Sequence, residues 1–265
     1  MTAQLDHVVL LLPHADILNP PTWLTKNFTI SPGGRHADNK TENKLILFSD
    51  GTYLELIAFI DDAPSNRKGH WWDKPYGVVD YALTTVDADF PTFEPIRERL
   101  AKTDTGISYQ DSIDGGRIKP DGTELKWKVT FPTGTSRGSV PFWCHDVTPR
   151  ERRVPVSREA TTHPSGVLGM AAMKVSVKGG KEVEKLRRAT GAIVDVGTSR
   201  EEGKFEVGRP IDVQGEKPSV RIVQAEEGQK REVKLSLVLQ GPKRVDDVKR
   251  EIEGGLVEIL FEVAP

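Results

Sequence analysis

His7 and Glu55 are the residues of this chain best placed to do chemistry. Each interrupts an apolar run, residues 5–13 for the histidine and 52–59 for the glutamate. Both runs read as buried strands. A carboxylate in such a setting is strongly disfavoured unless it is paired, protonated or bound to a metal. Two strands that bring an imidazole and a carboxylate into one interior therefore point to a site. The same pair of groups serves general acid–base catalysis and can ligate a divalent cation.

The elements that must position them form a pattern that occurs twice. Residues 5–12 read as a strand, and 14–26 as partly helical, because Pro20 and Pro21 interrupt the segment. A short strand at 28–34 ends in Gly33-Gly34, and strands at 44–48 and 53–59 flank Ser49-Asp50-Gly51, a hairpin signal. After a polar, aromatic loop (61–76) the order restarts: a strand at 78–86, a helix at 93–102 with Ile96 and Leu100 at i, i+4, and strands at 107–118, 124–131 and 140–147. A βαβββ unit is thus expected twice before residue 150, and an internal repeat is strong evidence about architecture.

Residues 148–164 are charged, proline-bearing and aperiodic, and read as a linker. Beyond it, a strand is expected at 170–177 and a helix at 181–190 capped by Gly191. Short strands are expected near Ile193, Phe205 and 220–223, a strand at 233–239, a helix at 245–252 and a last strand at 256–263. The final unit lacks its middle strands. The expected organisation is α+β: a site-bearing domain over 1–150, a linker over 151–164, and a degenerate domain over 165–265.

Composition narrows the function. With 37 basic against 39 acidic residues, no basic excess points to nucleic acid and no polybasic block to a membrane surface. The longest apolar stretch is far too short to span a bilayer, and the N-terminal segment lacks a basic region ahead of its apolar run. Cys144 is the single cysteine, so no intrachain disulfide forms, which fits a reducing, cytoplasmic setting. The paired glycines of the chain are not followed by Gly-Lys-Ser/Thr, so no nucleotide cofactor is expected. A small-molecule partner is the expectation, with the chain a monomer or homodimer.

Several residues are candidates for holding that molecule. Arg35 and His36 follow the Gly33-Gly34 turn, where a guanidinium could clamp a carboxylate in bidentate fashion; an exposed turn pair is the equal alternative. Trp71 and Trp72 sit in a polar loop, where two indoles either lid a pocket or anchor the loop. Trp143 is a further candidate contact, although indoles on strands, Trp127 among them, are more often core. Cys144 has no evident base partner, because His145 beside it on a strand faces the other way.

The tandem βαβββ unit, with His in its first strand and Glu in its fourth, resembles the vicinal oxygen chelate (glyoxalase) superfamily. The nearer likeness is to its glyoxalase-like group, through LDHVVL at 5–10, PGGRH at 32–36 and YLEL at 53–56. The stretches ELKW at 124–127 and PFWCHDV at 141–147, and His163-Pro164-Ser165, also look like that group. The resemblance implies two glyoxalase-like pseudo-barrels, the second truncated. It implies a cup with four inward positions, which carry over to His7, Glu55, Asp80 and His145; a one-residue slip would select Tyr81 or Cys144 instead. Two imidazoles and two carboxylates would suit zinc, manganese, iron or nickel acting as a Lewis acid, with Glu55 as general base. Asp80 departs from the His, Gln or Glu usual there and is shorter. A metal-free polar pocket is the other reading. In the second half Met173, Gln224 and Glu258 occupy the corresponding places, a poor metal site, so that half is expected to be structural or dimerising. The resemblance implies a small-molecule enzyme of isomerase, lyase or hydrolase type acting on a carbonyl or vicinal-oxygen substrate, or else a non-catalytic binder of the same fold.

Overall fold

The computed structural model describes residues 2–85, 92–195, 203–213 and 215–264. Strand β1 (Gln4–Leu11) is buried on both faces along its length, and apart from Gln4, Asp6 and His7 its residues are accordingly apolar. Val8, Leu10 and Leu12 join the larger core on one side, while Val9 and Leu11 join a second cluster on the other. Helices α1 (His14–Leu18) and α2 (Thr22–Thr25) follow, split at the two prolines. Then come β2 (Ser31–His36), β3 (Thr41–Leu47) and β4 (Tyr53–Phe59), with the hairpin at 49–51 as expected. The aromatic loop carries a short helix, α3 (Pro64–Arg67).

The second unit comprises β5 (Gly77–Thr84), α4 (Glu94–Ala101), β6 (Ser108–Tyr109), β7 (Ile113–Ile118), β8 (Glu124–Thr130), β9 (Pro132–Thr133) and β10 (Phe142–Asp146). Val86, expected as the end of the fifth strand, lies outside the described residues. In α4, Ile96 and Leu100 are buried, as their spacing requires. The strand expected at 107–118 is two pieces: β6 leaves the main sheet to pair with β9.

The two units close into a barrel. Around the ring the order is β1-β4-β3-β2-β7-β8-β10-β5, and β5 returns to pair with β1 antiparallel. Within each unit the first and last strands are parallel neighbours, β1 with β4 and β5 with β10. An eight-stranded barrel leaves room inside for side chains and one small ligand.

The stretch read as a linker holds two short helices, α5 (Arg150–Arg153) and α6 (Arg158–Thr161), and it buries Arg153 and His163. His163 Nδ1 accepts from the Thr29 amide at 3.1 Å and its Nε2 meets Leu47 O at 2.9 Å, pinning the segment to the barrel's outside. This is no free tether.

The later half contains β11 (Gly169–Val177), α7 (Gly180–Val194), β12 (Lys204–Glu206), β13 (Ser219–Gln224), β14 (Val233–Gly241), β15 (Val248–Ile252) and β16 (Gly255–Val263). Its pairings repeat those of the barrel: β11 lies parallel to β13 and antiparallel to β14, and β14 lies parallel to β16. With too few middle strands it remains an open sheet, the truncation expected from the sequence. Three local expectations are corrected. Residues 248–252 are strand rather than helix, because Glu253 and Gly254, both at positive φ, turn the chain into a hairpin with β16. Ile193 and Gly191 lie inside α7, which buries Val183, Leu186, Ala189 and Ile193 and ends only at Asp195, in left-handed conformation. The apolar stripe outruns the glycine, so the helix does too.

Candidate functional site

The inward side chains of the barrel enclose a cavity of ≈ 130 Å³. Trp71, Trp127, Phe131 and Phe142 form its apolar walls, and His7, His36, Asn43, Tyr53, Glu55, Arg117 and Arg153 are its polar groups. Strand alternation delivers most of these: Tyr53 and Glu55 share a face of β4, and Asn43 and Leu45 share a face of β3 opposite it.

His7 is oriented by its sequence neighbour. Alternation would turn Asp6 away from His7, yet the β1–β5 register shifts between Leu5 and His7, leaving Asp6 as the extra residue of a bulge. The bulge brings the Asp6 carboxylate to His7 Nδ1 at 2.6 Å. Tyr53 stacks on the imidazole at 4.6 Å between ring centroids. His7 Nε2 is left toward the cavity, 3.7 Å from Glu55 Oε2. A carboxylate on Nδ1 fixes the tautomer whose Nε2 lone pair is free to take a proton.

Asp6 is fully buried and does not stand alone. Burial pushes its pKa up, but Arg150 and Arg153, together with His7, hold it well below the usual carboxylate range. Arg153 spends all five of its donor positions: Nε and Nη2 on Asp146 at 2.5 and 2.7 Å, Nη1 and Nη2 on Asp6 at 3.2 and 3.3 Å, and Nη1 on the Tyr53 hydroxyl at 2.5 Å. Burial, more than any neighbour, raises the Tyr53 pKa, so the phenol stays protonated.

Glu55 sits between two imidazoles. Asn43 Nδ2 donates to its Oε1 at 2.6 Å, and His36 Nε2 lies 3.4 Å from the same oxygen. His36 Nε2 is also 3.3 Å from Asn43 Nδ2. Protonated, His36 donates to Glu55; neutral, it accepts from Asn43. Burial raises the Glu55 pKa, and His36, His7 and Asn43 outweigh it and bring it down to about 2. A base that weak is a poor proton acceptor at neutral pH. Of the two, His7 Nε2 is thus the better placed to accept a proton, with the Glu55 carboxylate 3.7 Å away.

The glycines of PGGRH serve this arrangement. A Cβ on Gly33 would stand 2.1 Å from both Asn43 O and Asn43 Oδ1, so any side chain there would displace the amide that holds Glu55.

A family model described as a glyoxalase-like domain matches residues 5–191, and the chain carries the closed double-unit barrel on which that expectation rested. The chain belongs to the glyoxalase-like domain family. The match runs from β1 through the barrel and the 151–164 segment into α7 of this glyoxalase-like protein. A solved structure of a hypothetical protein from Staphylococcus aureus aligns over 98% of this chain and 99% of its own, at 15% identity and a TM-score of 0.66, so the whole architecture is shared. A hypothetical protein from Bacillus halodurans (14% identity, 54% of this chain and 93% of that one, TM-score 0.34) overlaps far more loosely. So does methylmalonyl-CoA epimerase from Mycobacterium tuberculosis (16% identity, 47% and 77%, TM-score 0.29). None of the curated proteins matches the chain.

The four residues expected to converge in the glyoxalase-like cup do not all do so. His7 and Glu55 meet. Asp80 is buried on β5, where Arg137 Nε and Nη2 bind it and Trp72 Nε1 lies 3.4 Å away. His145 projects from the other face of β10, stacked on Trp143 at 5.7 Å beneath Phe93, and Cys144 takes the inward place. Trp143 is consequently core, 1% exposed, rather than a ligand contact. Arg35 points outward and lies 3.5 Å from Glu42, while His36, next along β2, points in. Trp71 and Trp72 do border the cavity; Trp72 is buried, its amide donating to His70 Nδ1 at 3.2 Å, and Trp71 is half-exposed over Phe131.

Among the described residues one trio of potential metal ligands converges: Asp6, His7 and Cys144. Its donor set fits a divalent ion badly. Asp6 already accepts from two guanidinium groups, which a cation would have to displace. Cys144 is buried, and burial pushes its thiol far above the usual range. No helix among the described residues is long and apolar enough to cross a membrane.

Proposed function

We propose that this protein is a small-molecule enzyme of glyoxalase-like type whose N-terminal barrel binds a carbonyl compound and moves a proton with His7. The observation that carries the reading is the Asp6–His7 pair, with Nδ1 tied to a buried carboxylate and Nε2 facing the cavity beside Glu55. In this reading His7 takes a proton from the carbon next to a substrate carbonyl, and ionised Glu55 stabilises the imidazolium that forms. Returning the proton at a different atom gives an isomerase; losing a leaving group gives a lyase. The residues of the cup suffice for this step without a metal.

The test is deuterium exchange. The protein is incubated in D₂O with a panel of small aryl ketones and α-hydroxy ketones, and exchange beside the carbonyl is followed by NMR. At least one member should exchange well above its spontaneous rate, and His7→Gln should lower that gain by about 10²–10⁴-fold. Tryptophan quenching by a panel member with no exchange in the wild type would instead favour a binding protein that sequesters its ligand under Trp71 and Trp72.

A further inference from the structure

Arg117 differs from the other cation of the cavity. Arg153 is saturated by two carboxylates and a phenol, but Arg117, 4% exposed, makes one hydrogen bond among the described residues, Nη1 to Asn43 Oδ1 at 2.8 Å. It forms no ion pair among the described residues, and its buried Nε has no hydrogen-bond partner. Asn43 explains why. Its amide donates to Glu55 and accepts from Arg117, so it stands as a neutral spacer between the anion and the cation. Burial pushes the Arg117 pKa down from its ordinary value, as expected when a charge leaves water for too few partners.

An uncompensated buried guanidinium is costly, and native proteins retain few of them. Its side chain lies on β7 next to His36 of β2 and borders the cavity. We infer that the barrel's ligand is a small carboxylic acid whose carboxylate binds the unpartnered edge of Arg117. The planar fork of a guanidinium matches two carboxylate oxygens. The rest of the ligand then lies against Trp71, Trp127 and Phe131, which favour a flat, apolar body. Glu55, the other charged group nearby, is taken up by Asn43 and lies against His7 and His36, and the Asn43 amide separates it from Arg117. This deepens the proposed function by naming the substrate class, and it rests on the cup being a small-molecule pocket. It does not depend on His7 chemistry.

The test is binding, without turnover. Benzoate, phenylacetate and phenylglyoxylate are compared with their neutral amides by calorimetry and tryptophan quenching on the full chain. At least one acid should bind about tenfold or more tightly than its amide, the worth of a charge-assisted hydrogen bond. Arg117→Met, close in shape and neutral, should abolish that preference; the Asn43 carbonyl keeps its bond from the Gly34 amide at 3.1 Å, so Glu55 stays placed. As a readout independent of the variant, the preferred acid should raise the wild-type Tm and its amide should not. Equal binding of acid and amide, no acid bound at millimolar concentration, or a preference that survives in Arg117→Met each overturns the proposal. Failed deuterium exchange with the acid preference intact would sink the acid–base reading and leave this one standing.

Discussion

Replacing Glu55 with glutamine removes one charge and little volume, and the structure sets the expected size of the effect. The carboxyl is held at about 2 against an ordinary 4.5. At about 1.4 kcal/mol per tenfold, the ionised folded form gains about 3 kcal/mol over the unfolded chain. The folded value lies below the unfolded one, so this contribution is complete above pH 4.5 and fades as the pH falls toward about 2. Glutamine keeps the acceptor for Asn43 but loses the attraction to His7 and His36. Glu55→Gln should therefore be less stable than wild type by up to about 3 kcal/mol at neutral pH, and the gap should narrow below pH 4.5 and close as the pH falls to about 2 and below. Urea denaturation of both proteins in parallel, followed by tryptophan fluorescence, reads the difference; Asp6 titrates in both and cancels. A gap that stays flat with pH, or a glutamine variant that is the more stable at neutral pH, would refute the pairing of Glu55 with the two histidines.

Other perturbations test the supports. Asp6→Asn leaves Arg153 and Arg150 facing a neutral amide and should cost about 3–5 kcal/mol in thermal or chemical unfolding. Arg137→Met should cost a similar amount by stranding buried Asp80, and adding Asp80→Asn should restore much of it, the signature of a pair in a double-mutant cycle. Gly33→Ala forces a methyl onto Asn43 and should lower stability by about 1–3 kcal/mol at neutral pH, with a gap that narrows as the pH falls, as for Glu55→Gln. Because Arg150 and Arg153 already occupy Asp6, EDTA should leave the Tm unchanged; a large fall would revive a metal at Asp6, His7 and Cys144.

Much of this was legible because strand alternation is a strict rule. His7, Glu55 and the hairpin between β3 and β4 fell where their apolar runs placed them, and the repeat revealed the barrel. Tyr53, two residues before Glu55, and Asn43, at alternate spacing with Thr41 and Leu45, carried the same signal unread. Asp6 carried none, since a bulge breaks alternation and nothing local in Leu5-Asp6-His7 marks it. His145 failed by a single-residue slip that the apolar pattern of β10, buried on both faces, does not fix. Arg153 lies in an Arg-Glu-Arg-Arg run that reads as a solvated helix, and only tertiary packing turns it inward.

The contact between Asp6 and Arg153 spans 147 residues. Loop closure over such a length must precede any reward from the contact, which slows folding and lengthens the life of unfinished states. Until α5 docks, the Asp6 carboxylate of β1 has His7 beside it but neither of its guanidinium partners. A nascent chain released or cut at the end of β10 would hold every strand of the barrel and still be unable to finish its interior. The last stitch of the cup is made by chain that emerges after the cup itself.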